Sequence, residues 1–258
     1  MLFRFTLWGI LLSMLAAVAA VAQVNATQQN ANSVKANSIV DAMLKAQQEN
    51  KARVKPFTVK RGYLLLDKQE QEKAKMVASI TVLPPDAKEY QIESSSGGMG
   101  ANILRDVLTK ETEQPKDADR KELSRNNYDF KLLGEEALNG RRCYLLGLNP
   151  KREEKDLLRG KLWVDSETYN ILRIEGSPVK SPSWWIHDVN ILMSFAEVDG
   201  MWLRTSTHAV ANVRFKGKYI MDSRDLEYSF TQETASRGPV TRRYRANPAI
   251  FAGSAIRP

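Results

Sequence analysis

The feature that most constrains the fold is a long succession of strand patterns in the second half of the chain. From Asn127 onward, short segments in which apolar and polar residues alternate, such as Tyr128, Phe130 and Leu132, are separated by residues that favour turns. Alternation with a period of two places successive side chains on opposite faces of a sheet. The Asn-Gly pair at residues 139–140 predicts a tight hairpin, because both residue types tolerate positive φ. The pattern predicts a meander of antiparallel strands.

A second hairpin is predicted at residues 165–168, between strands over 160–164 and 169–174. Both faces of these strands carry apolar side chains. One face holds Leu162, Val164, Leu172 and Ile174, and the other holds Trp163, Tyr169 and Ile171. A sheet that is apolar on both faces has to be covered on both. We therefore expect helices on one side and a lid or a ligand on the other.

The last two hairpins can be given a register. A two-residue turn at 216–217 pairs Leu203 with Phe230 and His208 with Asp225, which separates apolar from polar side chains. At Asp199-Gly200 two registers are open, and we favour a three-residue loop because it gathers the apolar residues on one face. That loop sets Phe195 opposite Thr205, Met193 opposite Thr207 and Ile191 opposite Ala209.

Two helices and three further strands are predicted ahead of the meander. Ser38 is placed as the cap of a helix that Pro56 ends, with Asp41 completing a capping-box pattern. The glycine-rich residues 94–100 lack the spacing of a phosphate loop and predict a flexible loop. Residues 111–125 are charged and predict an exposed excursion. The strands are predicted over 57–67, 75–83 and 89–93, and the second helix over 101–110.

The N-terminus carries the pattern of a secretory signal peptide. Arg4 precedes the apolar run Leu7–Ala22, which ends in small residues. The run is shorter than the roughly 20 residues that span a bilayer, so we favour cleavage after Ala22 over an uncleaved anchor. The predicted organisation is a signal peptide over 1–22, a flexible leader over 23–36, one domain over 37–235 and an irregular basic tail over 236–258.

Few residues are available for catalysis or for metal binding. Cys143 is the only cysteine, and His187 and His208 are the only histidines, so zinc sites built from several thiolates or three imidazoles are excluded. His208 opposite Asp225, with Ser206 nearby, is interpreted as a surface ion pair, not as a catalytic triad. We predict no enzyme, no cofactor and no metal.

The net charge of +8 is spread along the chain among carboxylates. Together with the predicted export, this distribution argues against nucleic acid as a partner. It permits peripheral contact with anionic lipid head groups.

The residues favour binding of an apolar ligand as the function. A concave face lined by large apolar side chains holds water poorly, and an acyl chain gains roughly 0.8 kcal/mol for each methylene that it buries there. Each of these side chains also suits an ordinary core packed against the helices. The candidate cavity residues are Leu64, Leu66, Val77, Trp163, Ile171, Trp184, Trp185, Phe195, Trp202 and Leu203.

A family resemblance is carried by two stretches of the meander. The run from Arg159 to Gly176, with Gly160-Lys161-Leu162-Trp163-Val164-Asp165 at its start and Ile171-Leu172-Arg173-Ile174-Glu175-Gly176 at its end, is similar to a paired-strand motif of LolA/LolB-type lipoprotein carriers. The segment 138–146, with Cys143-Tyr144, resembles another of their strands. The resemblance covers residues 37–235, and no arginine of this chain is matched to the functional arginine of that family.

The resemblance implies an α+β, LolA-like fold, in which a curved antiparallel sheet forms an incomplete barrel closed by two or three helices. It implies a periplasmic protein that holds the acyl chains of lipids or lipoproteins and carries them to the outer membrane. Related folds also regulate envelope-stress sigma factors. The alternative is therefore an envelope sensor or adaptor module that binds another protein.

Overall fold

The protein is built around one antiparallel sheet of 11 strands. A computed structural model describes residues 32–85, 87–113, 118–234 and 238–245. The predicted signal segment over 1–22 lies outside the described residues, as do residues 23–31 of the predicted leader and residues 246–258 of the predicted tail.

The described part of the chain contains three helices and 11 strands, joined by turns and loops. The helices are α1 (32–53), α2 (Met99–Thr112) and α3 (Ala118–Lys121). The strands are β1 (Phe57–Leu66), β2 (Glu72–Leu83), β3 (Ala87–Ser96), β4 (Tyr128–Leu138), β5 (Arg141–Pro150), β6 (Leu158–Asp165), β7 (Ile171–Pro178), β8 (Ile186–Val198), β9 (Met201–Val213), β10 (Gly217–Thr234) and β11 (Gly238–Arg245).

The strand order is β3-β2-β1-β10-β9-β8-β7-β6-β5-β4, with β11 also paired to β10. The first strand of the domain therefore pairs with the long last strand of the meander, as in the partners Val59 and Tyr228. Strands β3 and β4 lie at the two ends of this order and do not pair with each other in the described structure. The predicted fold class, an open antiparallel sheet with few helices, is confirmed.

The helices cover two regions of the same face of the sheet. Helix α1 packs through Ile39, Val40 and Met43 against strands β4 to β7, and α2 packs through Leu104 and Leu108 against β1 and β2. The face of β8, β9 and β10 between these two regions is left for the cavity described below. No helix in the described ranges is long and apolar enough to cross a membrane.

Helix α1 begins earlier than the sequence predicts. Residues 32–36, assigned to the flexible leader, are helical. The hydroxyl of Ser38 donates to the carbonyl oxygen of Lys35 at 2.9 Å, so Ser38 lies inside the helix and is not its cap. The amine of Lys35 lies 2.9 Å from the carboxylate of Glu135 on β4, which ties this first part of the helix to the sheet.

The two local hairpin predictions in the meander are confirmed. Asn139 and Gly140 have φ values of 53° and 79°, and their flanking residues pair as the last of β4 and the first of β5. Residues 166–170 connect β6, which ends at Asp165, to β7, which begins at Ile171, so the second hairpin is present with a connection that is longer and later than the predicted 165–168. On these strands Gly160 faces Gly176, and a Cβ on Gly160 would lie 2.0 Å from the carbonyl oxygen of Glu175. Only glycine therefore fits at this point of the motif.

The register of β9 and β10 differs from the prediction. Val213 pairs with Gly217, which makes the turn residues 214–216 and shifts every partner by three positions. Phe215, at the centre of the turn, adopts the left-handed conformation with φ of 65°, a role that sequence preference gives to glycine. His208 therefore lies opposite Asp222, and the predicted pair of His208 with Asp225 is wrong.

The register of β8 and β9 combines the two predicted possibilities. The turn has two residues, Asp199 and Gly200, both with positive φ, and Phe195 accordingly pairs with Arg204. A bulge at Thr205 then shifts the ladder by one residue. The predicted pairs of Met193 with Thr207 and Ile191 with Ala209 are confirmed beyond this bulge, while the pairing of Phe195 with Thr205 is wrong.

The predicted irregular tail contains a strand. Pairing between β9 and β10 ends at Ser206 and Arg224, and β11 pairs with β10 from Glu227 onward. Strand β10 keeps a partner on this edge because β11 takes the place that β9 leaves. The backbone of residues 238–245 thus belongs to the sheet.

Asp165, the acidic residue of the motif, organises the turn between β6 and β7. Its carboxylate is buried and accepts hydrogen bonds from the amides of Glu167 (3.1 Å) and Thr168 (2.7 Å). The guanidinium of Arg141 lies 2.7 Å from the same carboxylate. Burial by itself raises the pKa of Asp165, but these hydrogen bonds and the charge of Arg141 outweigh it, so the pKa is lowered.

Asp165→Asn is expected to lower the free energy of unfolding by about 2 kcal/mol at pH 7, because it removes a charged acceptor. A lowered pKa means that the carboxylate stabilises the fold above its ordinary value of 3.8, and that this contribution disappears as the pH falls through the folded-state value. Urea denaturation at pH 7 and pH 3 should therefore show a smaller difference between variant and wild type at pH 3. Glu167→Gln, an exposed change in the same turn, is the control. Equal losses at both pH values would contradict this account.

Candidate ligand-binding cavity

A cavity of about 1520 Å³ lies between α2 and the central strands of the sheet. It is larger than the roughly 300–1,000 Å³ of most small-molecule pockets. Five strands that are consecutive in the sheet, β2, β1, β10, β9 and β8, contribute to one wall, and the curved sheet is concave on this side. The apolar lining residues are Val54, Phe57, Val59, Ile80, Val82, Val107, Ile191, Met193, Phe195, Leu203 and Met221.

A buried arginine interrupts the apolar wall. Strand β1 points alternate residues toward the cavity side, and Arg61 occupies one of these positions between Val59 and Tyr63. Arg61 is 7% exposed and donates through Nε to the carboxylate of Asp225, which is 2% exposed. Burial by itself lowers the pKa of Arg61, but the charge of Asp225 outweighs it and the pKa is raised. The guanidinium therefore stays charged inside the protein.

The last turn of α2 joins the same ionic cluster. Glu111 accepts hydrogen bonds from the guanidinium groups of Arg61 and Arg204, and from the hydroxyl of Tyr63 at 2.9 Å. Lys88 donates to the carbonyl oxygen of Glu111 at 3.2 Å. Burial lowers the pKa of Lys88, and the charges of Arg204 and Arg61 lower it further. The cluster thus connects α2 to β1, β3 and β9.

Asp225 has a second buried partner. The hydroxyl of Tyr228 donates to the other carboxylate oxygen. Burial, and then the charge of Asp225, raise the pKa of Tyr228, so its phenol remains a neutral donor. The ionic cluster, which we define as Arg61, Glu111, Arg204 and Asp225, is therefore held together by hydrogen bonds among its own members and to the hydroxyls of Tyr63 and Tyr228.

One hydroxyl in the cavity wall has no hydrogen-bond partner among the described residues. It is the buried Oγ1 of Thr207, which lines the cavity. Ser223, its cross-strand partner on β10, also lines the cavity. A buried hydroxyl without a partner costs free energy, which a ligand with a hydrogen-bond acceptor would recover. The wall is therefore suited to an amphiphile.

Two of the predicted cavity residues lie in its wall, namely Phe195 and Leu203. Leu64 and Leu66 fall on the opposite face of β1, since the buried positions of this strand are the odd-numbered ones. Val77 falls on the opposite face of β2, since the buried positions of that strand are the even-numbered ones. Both strands carry apolar residues on both faces. The sequence therefore did not show which face points inward, and each predicted residue lies one position away from an inward-facing one.

The other predicted residues lie elsewhere. Trp163 and Trp202 contact a cluster on the opposite face of the sheet, around Cys143. A bulge between β6 and β7 turns Ile171 toward the core beneath α1. Trp184 and Trp185 lie on the surface, in the connection before β8.

Sequence reasoning missed Arg61, Glu111, Asp225 and Thr207 as cavity residues. Glu111 was assigned to the exposed excursion, although it belongs to α2. Arg61 did give a signal, since it is a charged residue in the alternating series Phe57, Val59, Arg61, Tyr63, Leu65. A charge in such a series indicates either an outward face or a buried partner.

His208 pairs with Asp222 and lies apart from the cavity. Its Nδ1 lies 2.7 Å from Asp222, and both residues alternate with cavity residues, so they lie on the opposite face of the sheet. Asp225 is on the cavity side with Arg61. In the part of the chain that the structure describes, no group of three or more His, Cys, Asp or Glu residues is placed to hold a metal ion.

The fold and the cavity together define an open half-barrel with an amphipathic interior. A family model described as "-like: Uncharacterized protein" matches residues 114–231, and no curated protein sequence matches the chain.

Solved structures of three proteins, among others, align with most of the chain. A DUF1329 family protein from Desulfovibrio piger is 15% identical, with 86% of this chain and 99% of that one covered and a TM-score of 0.42. A putative outer membrane lipoprotein-sorting protein domain from Vibrio parahaemolyticus is 15% identical, with 75% and 94% covered and a TM-score of 0.40. A LolA superfamily protein from Nitrosomonas europaea is 12% identical, with 74% and 91% covered and a TM-score of 0.39.

Proposed function

We propose that this protein binds the acyl chains of a lipid or lipoprotein in its half-barrel. The observation that supports this most directly is the cavity of about 1520 Å³ with apolar walls on the concave side of the sheet. A cavity of this kind holds water poorly, and a flexible apolar chain fills it without needing a matching shape.

The apolar wall supplies enough free energy for useful affinity. Each buried methylene contributes about 0.8 kcal/mol, so roughly ten methylenes contribute about 8 kcal/mol before the cost of immobilising the chain. No catalytic group takes part in such binding. The function is capture and release, and no reaction is assigned.

The polar side chains of the wall favour a ligand with a polar end. Arg204, which belongs to the ionic cluster, and Lys88, which lies beside it, both line the cavity, and Thr207 offers a hydroxyl without a partner among the described residues. An ester or an anionic head group next to these donors would be hydrogen-bonded while its acyl chain lies against Ile191, Met193 and similar residues. This distinguishes a lipid from a plain hydrocarbon.

We place the protein in the periplasm as a carrier toward the outer membrane. The support is the signal-peptide pattern of residues 1–22 and the resemblance of residues 159–176 to lipoprotein-sorting proteins. Both are sequence arguments, and the cavity is compatible with them because a carrier has to shield its cargo from water.

Native mass spectrometry of protein purified without detergent from its own envelope tests this proposal. The expected result is a mass excess that corresponds to bound lipid and that disappears after extraction with organic solvent. A fluorescent fatty acid should then bind to the delipidated chain. Protein that carries no lipid and does not bind the probe would contradict the proposal. Delipidated chain retained by an envelope protein would favour the sensor or adaptor alternative.

A further inference from the structure

The end of the sheet formed by two neighbouring connections carries an exposed aromatic patch. Trp184 is 76% exposed, Trp185 is 38% exposed and Phe215 is 97% exposed. We call these three residues the aromatic tip. The first two lie before β8, and Phe215 lies in the turn between β9 and β10.

Backbone contacts hold the two connections together. The amide of Arg214 donates to the carbonyl oxygen of Trp185 at 2.8 Å, and Ile186 pairs with Val213 as the strands begin. The guanidinium of Arg214 lies 5.5 Å from the ring centre of Trp184, within range of a cation–π contact. The three aromatic side chains therefore belong to one surface.

Phe215 occupies a position that is unfavourable for its residue type. Its φ of 65° lies in the left-handed region, where glycine or asparagine is accommodated at lower cost. Its ring packs against almost nothing in the described structure, since nearly all of its area is exposed. Neither the turn nor the core explains a phenylalanine here, which indicates a contact outside the chain.

The two connections that carry the aromatic tip contain more basic than acidic residues. Residues 179–189 and 213–219 contain the four cations Lys180, Arg214, Lys216 and Lys218, all exposed, against one acid, Asp188. Long cationic side chains beside exposed Trp and Phe are the composition of interfacial membrane-binding surfaces, in which rings lie at the head-group level and amines contact lipid phosphates. Anionic lipid supplies the complementary charge.

From these contacts and charges we infer that the aromatic tip and its cations dock this end of the sheet on an anionic phospholipid bilayer. Strand β8 runs from the tip into the cavity wall. Ile191, which lines the cavity, lies five residues beyond Ile186, and a bulge between His187 and Asn190 keeps their separation below the roughly 17 Å of five regular strand residues. Docking therefore places the cavity wall within roughly half a bilayer thickness of the lipid surface.

Sedimentation with vesicles tests the inference. The chain is expressed with its native N-terminus, purified without detergent, and mixed with vesicles of phosphatidylglycerol and phosphatidylcholine or of phosphatidylcholine alone. The expected result is binding to the anionic vesicles that weakens at high salt, with a blue shift of tryptophan fluorescence. Trp184→Ala with Phe215→Ser should weaken binding at least tenfold. Lys216→Ala with Lys218→Ala should weaken it about 25-fold, at roughly fivefold for each charge.

Tyr90→Ser is the matched control, because Tyr90 is an exposed aromatic residue on β3, outside the aromatic tip. It should bind as wild type does, and circular dichroism of each variant shows that the fold is retained. The inference is overturned if wild type does not bind anionic vesicles, if the Trp184/Phe215 variant binds them as wild type does, or if the control loses as much. Binding of the tip to a protein in place of vesicles would also overturn it.

Discussion

Asp225→Asn is expected to lower the free energy of unfolding by about 3–5 kcal/mol, as measured by urea denaturation. Asp225 is the buried partner of Arg61, and it also accepts a hydrogen bond from Tyr228. Removing its charge leaves two arginines, Arg61 and Arg204, to share Glu111 in a poorly solvated wall. A buried charge without compensation costs far more than an exposed ion pair contributes.

Asp222→Asn provides the matched control on the same strand. Asp222 is three residues before Asp225 and pairs with His208 on the opposite face of the sheet, where it is more exposed. Its loss should cost less than about 1 kcal/mol. The double change Arg61→Met with Asp225→Leu should recover part of the stability lost in Asp225→Asn, because it removes both charges. Equal losses in the two single variants would show that the ionic cluster is not a buried one.

Thr207→Trp is expected to weaken binding of a fluorescent fatty acid on the order of 200-fold. The indole would project into the cavity from the middle of β9 and displace roughly four methylenes of a bound chain, each worth about 0.8 kcal/mol. The fold should tolerate the change, because the cavity has room and the lost hydroxyl has no partner in the described structure. Titration of the delipidated chain with the probe measures the effect.

Ser206→Trp is the control for this experiment, since the neighbouring residue on β9 points to the opposite face of the sheet. It adds the same side chain to the same strand and should leave the affinity for the probe within about twofold of wild type. If Thr207→Trp binds the probe as tightly as wild type, the acyl chain lies somewhere other than this cavity.

The strands were predicted well from local patterns in the sequence. The predictions that failed concern how strands pair with one another. The hairpin at Asn139 and Gly140 is confirmed because a two-residue turn fixes its own register. The β9–β10 register was missed because Phe215, and not only Gly217, takes positive φ, so the turn is longer than residue preferences indicate. A bulge such as that at Thr205 cannot be recognised from the alternation of apolar and polar residues in the sequence.

The ionic cluster could not be predicted from the sequence for a related reason. Arg61 and Asp225 are 164 positions apart, and Arg61 and Glu111 are 50 apart, so no spacing in the sequence brings them together. Apolar residues on both faces of β1 also leave its inward face undetermined until the partners are known. Phe195 and Leu203 reached the cavity because the paired hairpin strands that carry them were predicted together.

The pairing of β1 with β10 has a kinetic consequence. One edge of β1 stays unpaired until β10, whose residues lie about 160 positions later, has been made and can pair with it. The chain segment between the two strands, which this pairing closes into a loop, includes nearly the entire meander. We expect slow folding that is completed only when synthesis is almost finished, with the early strands prone to self-association until then. A chain ending before residue 217 should expose that edge, and chaperones that hold unfolded chains would be the natural protection for it.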